Sequence, residues 1–162
     1  MNDLPEVIDI CCGGRMFWVD KTNPRAVFMD IRKVPMEKLS NGAYFEVNPD
    51  IVADFTKIPF PDNMFSMVVF DPPHLKCGEK SFLYKKYGTL KKNWEEMIKK
   101  GFEEAFRILK PSGTLIFKWC DSAIPLKYVL ALTDKQPLIK HSATSNSGKA
   151  KTHFLVFMKE AK

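Results

Sequence analysis

Histidine is scarce in this sequence, and cysteine has no regular spacing. Three histidines and four cysteines (Cys11, Cys12, Cys77 and Cys120) occur in 162 residues, with no Cys-x-x-Cys pair. A Cys/His zinc centre is therefore disfavoured, and no metal is expected. The thiols read as reduced, which places the chain in the cytoplasm. The opening MNDLPEVIDI is acidic and has no basic segment ahead of an apolar one, so it is not read as a signal peptide. No apolar run approaches the length needed to cross a bilayer, and no membrane association is expected. Repeats and low-complexity tracts are absent. So is G-x-G-x-x-G, which argues against a nicotinamide-binding domain.

What is present fits one domain over residues 1–162 with a core of ordinary size. Hydrophobic residues make up 45% and charged residues 27%, a globular composition. The net charge of +6 and pI near 9.1 suit a polyanionic partner without specifying one.

Short apolar runs predict strands at 6–11, 26–30, 50–54, 67–71, 113–119 and 152–159, with a weaker candidate at 137–142. Residues 93–110 form the clearest helix. Trp94, Met97, Ile98, Phe102, Ala105, Phe106 and Leu109 recur at steps of three and four, and Asn93 stands at the N-cap position. Pro111 and Gly113 predict a turn after it. Residues 125–133, opening on Pro125, predict a second helix. Strands alternating with helices or long crossovers imply an α/β fold with a mostly parallel sheet. Ligands bind such sheets at the carboxyl ends of the strands. The first strand begins within ten residues of Met1, so a minimal sheet domain with no preceding lid domain is expected.

Residues 7–18, VIDICCGGRMFW, run from a strand into Gly13-Gly14, where the backbone can turn tightly and approach a ligand. Asp30 ends the next strand, seventeen positions beyond Gly13, where a carboxylate can accept both hydroxyls of a ribose. Asp54 ends the third and can accept from an adenine amino group, while Ile31 and Phe55 can pack on the base. Arg15 stands where a further glycine would be expected. It can pair with Asp30 or reach a phosphate, and both options stay open.

The fourth strand ends in Asp71-Pro72-Pro73-His74. An exocyclic amine conjugated to a ring is a poor nucleophile. Two acceptors, the Asp71 carboxylate and the Pro72 carbonyl, can hold its N–H groups and stabilise the positive charge that develops on nitrogen. Pro73 constrains Pro72 towards an extended conformation, which aims that carbonyl. His74 can stack on the base or shuttle a proton.

These motifs resemble class I S-adenosylmethionine-dependent methyltransferases, in particular the amino-methylating branch marked by (D/N/S)-P-P-(Y/F/W). The compact size is also similar to small phage-type or prophage-type methyltransferases. DICCGG looks like the donor loop, which places Asp9, Cys11, Cys12, Gly13 and Gly14 beside S-adenosyl-L-methionine. Asp30 with Ile31 and Asp54 with Phe55 look like the ribose and adenine contacts, and Asp71 to His74 like the catalytic tetrad. The resemblance covers about residues 6–159. It implies a Rossmann-like sheet with an antiparallel last strand and helices on both faces. His74 departs from the usual aromatic residue of the tetrad.

A basic and aromatic insert follows the tetrad at about 75–93. Residues 75–100 hold eight lysines against three glutamates. Lys80, Tyr84, Lys85, Lys86 and Tyr87 are candidates for substrate contact, through lysine to phosphates and aromatic rings to unstacked bases. A solvated lid with lysine stems over packed aromatic rings is the equal alternative. Methyl transfer to an amino nitrogen of adenine or cytosine in nucleic acid is the expected activity. The alternatives are a small molecule or a protein side chain as acceptor, or carbon-5 transfer through a cysteine such as Cys77. No recognition domain is visible, so a homodimer or a separate recognition partner is expected to select the target.

Overall fold

The computed structural model describes residues 5–39, 42–78, 80–145 and 148–161. Seven strands form one sheet: β1 (Val7–Asp9), β2 (Ala26–Asp30), β5 (Ile51–Val52), β6 (Phe65–Phe70), β7 (Leu109–Cys120), β8 (Ile139–Thr144) and β9 (Lys151–Met158). Their order is β5-β2-β1-β6-β7-β9-β8. The pairings β5-β2, β2-β1, β1-β6 and β6-β7 are parallel, whereas β9 is antiparallel to both β7 and β8. The order reverses at β1, so a crevice opens between the carboxyl ends of β1 and β6, the usual ligand position in a doubly wound sheet.

Helix α2 (Trp94–Ile108) follows the predicted periodicity and buries Ile98, Phe102, Ala105, Phe106 and Ile108. Asn93 occupies the N-cap position, but its side chain makes no capping hydrogen bond. The predicted turn at Pro111–Gly113 is instead a bulged opening of β7. Phe65 pairs with Leu109 and Met67 with Thr114, so the extra residues are absorbed inside the strand. Ser112 takes a positive φ there, and its N–H still bonds the Lys159 carbonyl. Helix α3 (Leu126–Leu130) is shorter than its predicted span.

The buried residues of α2 and α3 all join one large core with Ile8, Met29, Phe70, Phe117 and Phe157. The other face carries a smaller cluster of Cys12, Ala26 and Phe28 with Val7 and Trp18, to which no helix contributes. Helical cover therefore lies on one face among the described residues. On the other, turns at 10–25 take the place of a crossover helix. Their Gly-Gly, Asp-Lys-Thr-Asn and Pro24 composition favours turns. An antiparallel hairpin, β3 (Val34–Lys38) with β4 (Tyr44–Val47), stands between β2 and β5. No described helix is long and apolar enough to cross a membrane.

Between β8 and β9, residues 146 and 147 lie outside the described ones. Within the insert, α1 (Phe82–Tyr87) is capped by Ser81, whose side chain accepts from the Tyr84 N–H at 3.0 Å. Glu79 lies outside the described residues.

Candidate functional site

Four strand tips surround one open cleft. Its lining includes Asp9 and Cys11 to Gly14 from β1 and its loop, Asp30 to Arg32 from β2, Phe55, the Asp71–His74 tetrad, and Lys118 from β7. Lys86 and Tyr87 reach it from the insert. The sequence-predicted donor and catalytic residues therefore converge. Asp54 is the exception, since it does not line this cleft. Its Oδ1 accepts from the N–H and hydroxyl of Thr56 in a local turn.

The donor loop is tied to both neighbouring strands. Ile10 N–H bonds the Val69 carbonyl at 3.0 Å and Cys12 N–H the Met29 carbonyl at 2.9 Å. Gly13 has φ +49°, which a residue with a Cβ adopts only under strain. Its N–H donates to Asp30 Oδ2 at 2.9 Å. Gly14 lies so close to the hairpin that a Cβ would meet Phe45 Cε2 at 2.9 Å. Asp9 is fully enclosed beneath the loop, accepting from Cys11 N–H at 3.1 Å and Trp18 Nε1–H at 2.7 Å. Burial is the main cause that pushes its pKa up to about 7, and the two hydrogen bonds only partly offset it.

Arg15 does not pair with Asp30 and does not line this cleft. It donates to the carbonyls of Lys21 (2.6 Å) and Asn48 (2.8 Å), pairs with Asp50 at 3.4 Å, and stacks over Phe28. Asp30 is held instead by Arg32, through its backbone N–H at 2.9 Å and its Nε at 3.2 Å. Arg32 Nη1 also reaches the Lys85 carbonyl at the end of α1 (3.1 Å), linking the donor acid to the insert. Sequence reasoning missed Arg32. Its position two residues after the acidic strand tip was the available signal.

The residues fit an adenosine-type cofactor. Asp30 Oδ2 retains acceptor capacity that would suit a ribose hydroxyl, while Oδ1 is held by the Arg32 backbone N–H and Nε. Ile31 is 52% exposed beside it, and the buried Phe55 ring forms part of the cleft wall.

At the opposite wall, Lys118 Nζ donates to Asp71 Oδ2 at 2.6 Å. Asp71 Oδ1 is buried and has no hydrogen-bond partner among the described residues. His74 Nδ1 lies 4.0 Å from that oxygen and 3.3 Å from the Pro72 carbonyl, to which the Nδ1–H tautomer donates. The Pro72 carbonyl, expected to be free, is thus shared with His74. Burial lowers the His74 pKa, and the nearby Asp71 charge partly opposes that effect. The imidazole is neutral near pH 7.

The insert folds back onto the tetrad. A Cβ on Gly88 would lie 3.2 Å from Pro73 Cγ, and Leu90 N–H bonds the Leu75 carbonyl. Lys86 and Tyr87 therefore face the cleft, while Lys85 turns away to pair with Glu37 at 3.3 Å. Lys80 is exposed and Tyr84 half-buried, and neither lines the cleft. Cys77 lies outside the cleft lining, with its Sγ on the Gly88 carbonyl at 3.5 Å. Burial raises the thiol pKa of Cys11 and Cys12, which disfavours a thiolate nucleophile.

No family model and no curated protein matches the chain by sequence. Solved structures do match its fold. The N-methyltransferase NodS from Bradyrhizobium japonicum WM9 superposes with TM-score 0.59 at 12% identity, over 96% of this chain and 86% of its own. An S-adenosylmethionine-dependent methyltransferase from Methanosarcina mazei gives 0.57 at 11% identity, over 100% and 95% of the two chains. The cyclase SpnF gives 0.57 at 13% identity, over 96% and 74%. The chain has the Rossmann-like fold of these enzymes, and that fold serves more than one reaction.

Proposed function

We propose that this protein, which has the fold of S-adenosylmethionine-dependent methyltransferases, transfers a methyl group from S-adenosyl-L-methionine to an amino nitrogen of adenine or cytosine in a nucleic acid. The observation that carries this reading is the buried Asp71 Oδ1, which has no hydrogen-bond partner among the described residues and shares the cleft with Pro72 and Asp30. A buried acceptor left unpaired costs about 1–3 kcal/mol, and an incoming N–H donor removes that cost.

Asp30 would hold the ribose, Ile31 and Phe55 the adenine, and the Gly13-Gly14 turn the rest of the donor. When bound, the donor supplies an electrophilic methyl on a sulfonium that leaves as a neutral thioether. Asp71 Oδ1 and the Pro72 carbonyl orient the amine and stabilise its growing positive charge. Attack by the nitrogen lone pair on that methyl would leave the nitrogen positively charged, with one proton to lose. The neutral His74 imidazole in the same cleft is available to accept it. A base in a duplex must be flipped out to reach this position. Lys86 and Tyr87, which line the cleft, would meet its phosphate and its ring. Target selection would fall to a partner protein or a second copy of the chain.

The test pairs calorimetry with tritiated-methyl transfer. Asp71→Ala should keep donor affinity within about threefold and lose transfer by about 100-fold or more. Absence of donor binding by folded wild type would overturn the assignment.

A further inference from the structure

Lys118 sits in an apolar strand with no sequence motif to mark it. Leu115, Phe117 and Trp119 are buried on the helix-covered face, so the alternation of β7 sends Lys118 to the opposite one. The parallel register pairs Phe70 with Phe117, and the next step along both strands brings Asp71 beside Lys118. The ammonium is partly enclosed, lying 5.9 Å from the centroid of the Phe17 ring. Both side chains are about one-fifth exposed, and Lys118 bonds only one of the two Asp71 oxygens.

A carboxylate attached to a strand tip by two rotatable bonds can turn either oxygen towards a ligand. Binding at Oδ2 removes that choice and leaves Oδ1 as the inward acceptor. The charge count in the cleft changes as well. Asp71 alone would draw a cation, whereas the Asp71–Lys118 pair is neutral, Asp30 is already matched by Arg32, burial pushes the Asp9 carboxyl up to about 7 and so suppresses its charge, and Lys86 adds positive charge at the rim. An alkylamine is protonated at neutral pH, so it has no lone pair to methylate and meets like charge here. An amine conjugated to an aromatic ring is uncharged and needs only hydrogen-bond acceptors.

We propose that Lys118 is a positioning residue of the transfer site, holding Asp71 by Oδ2 so that Oδ1 receives the acceptor amine, and that this ion pair selects neutral ring amines over protonated alkylamines. The proposal rests on the amino-methyltransferase reading and adds to it a residue and a substrate class.

The experiment compares wild type, Lys118→Met and Lys118→Arg in tritiated-methyl transfer to single-stranded oligonucleotides rich in adenine or cytosine, and to spermidine. Donor binding is followed by calorimetry. Lys118→Met should lower kcat on the oligonucleotide about 100-fold with KM within about twofold, the signature of a misplaced acceptor. Lys118→Arg should restore most of it, since a guanidinium can also hold Oδ2. Activity on spermidine relative to the oligonucleotide should rise in Lys118→Met. Donor affinity should be unchanged in both variants. Independently of activity, the Lys118 ammonium should give a slowly exchanging nitrogen-15 signal that disappears in Asp71→Ala.

A wild-type kcat in Lys118→Met, loss of donor binding in that variant, no rescue by Lys118→Arg, or an ammonium signal indifferent to Asp71 would each overturn the proposal. A wild type that binds donor but methylates neither oligonucleotide would instead remove the underlying functional reading, and the proposal with it.

Discussion

Asp9 carries an electrostatic load beneath the donor loop. Its carboxyl is enclosed, with Asp30 and Asp71 close enough to raise its pKa further beyond the effect of burial. In the unfolded chain it titrates near 3.8, and in the folded protein near 7. An acid with a raised folded pKa favours the native state most when protonated in both states. Its contribution is therefore greatest below pH 4, falls as the pH rises from about 4 to 7, and levels off above that. The change is on the order of a few kcal/mol. Denaturant unfolding at a series of pH values should show this decline. Asp9→Asn should flatten the slope, although it loses absolute stability because one amide oxygen cannot replace both acceptors of Cys11 N–H and Trp18 Nε1–H. A slope unchanged by that substitution would place the titration elsewhere.

Helix α2 connects fold stability to the donor cleft through Gly101. A Cβ there would meet Phe70 Cζ at 2.5 Å and Phe55 Cδ2 at 2.9 Å, both parts of buried rings rather than flexible chain ends. In an exposed helix, Gly→Ala gains about 1 kcal/mol from propensity. Overpacking a filled core costs about 1–3 kcal/mol, and two enclosed rings put this site at the upper end. Gly101→Ala should therefore lose about 1–2 kcal/mol, read as a lower denaturation midpoint at an unchanged m-value. Because Phe55 also lines the cleft, the same variant should bind donor more weakly. Hairpin β3–β4 plays a comparable part on the other face, where Phe45 closes over Gly14 and restrains the donor loop.

Most of the excess charge of the whole chain, +6, comes from residues 75–100, which carry eight lysines and three glutamates. If about four lysines neutralise phosphates of a single strand, affinity should fall roughly 50-fold between 50 and 200 mM salt. A binding titration with an oligonucleotide checks this, and indifference to salt would count against a polyanionic substrate.

Continuous apolar runs and a 3.6-residue period depend on neighbours along the chain, so β2, α2 and β9 were legible before any coordinates. The Asp71–His74 tetrad and the Asp30 tip were legible for the same reason, as polar residues ending apolar strands. Hairpin β3–β4 was missed because its strands are mostly exposed, and β3 contains Pro35. Helix α1 was missed because its six residues bury nothing and are too few to reveal a period. The charge pairings were hidden most deeply. Arg15 stands fifteen positions before Asp30 and Arg32 two after it; a stack on Phe28 takes the first away, and a two-residue turn delivers the second. Lys118 meets Asp71 through the register of two strands forty-seven positions apart. Local pattern dictates which residues form strands and where those strands end. Which ends lie side by side, and so which acceptor in the cleft is left free, follows from how the sheet is assembled.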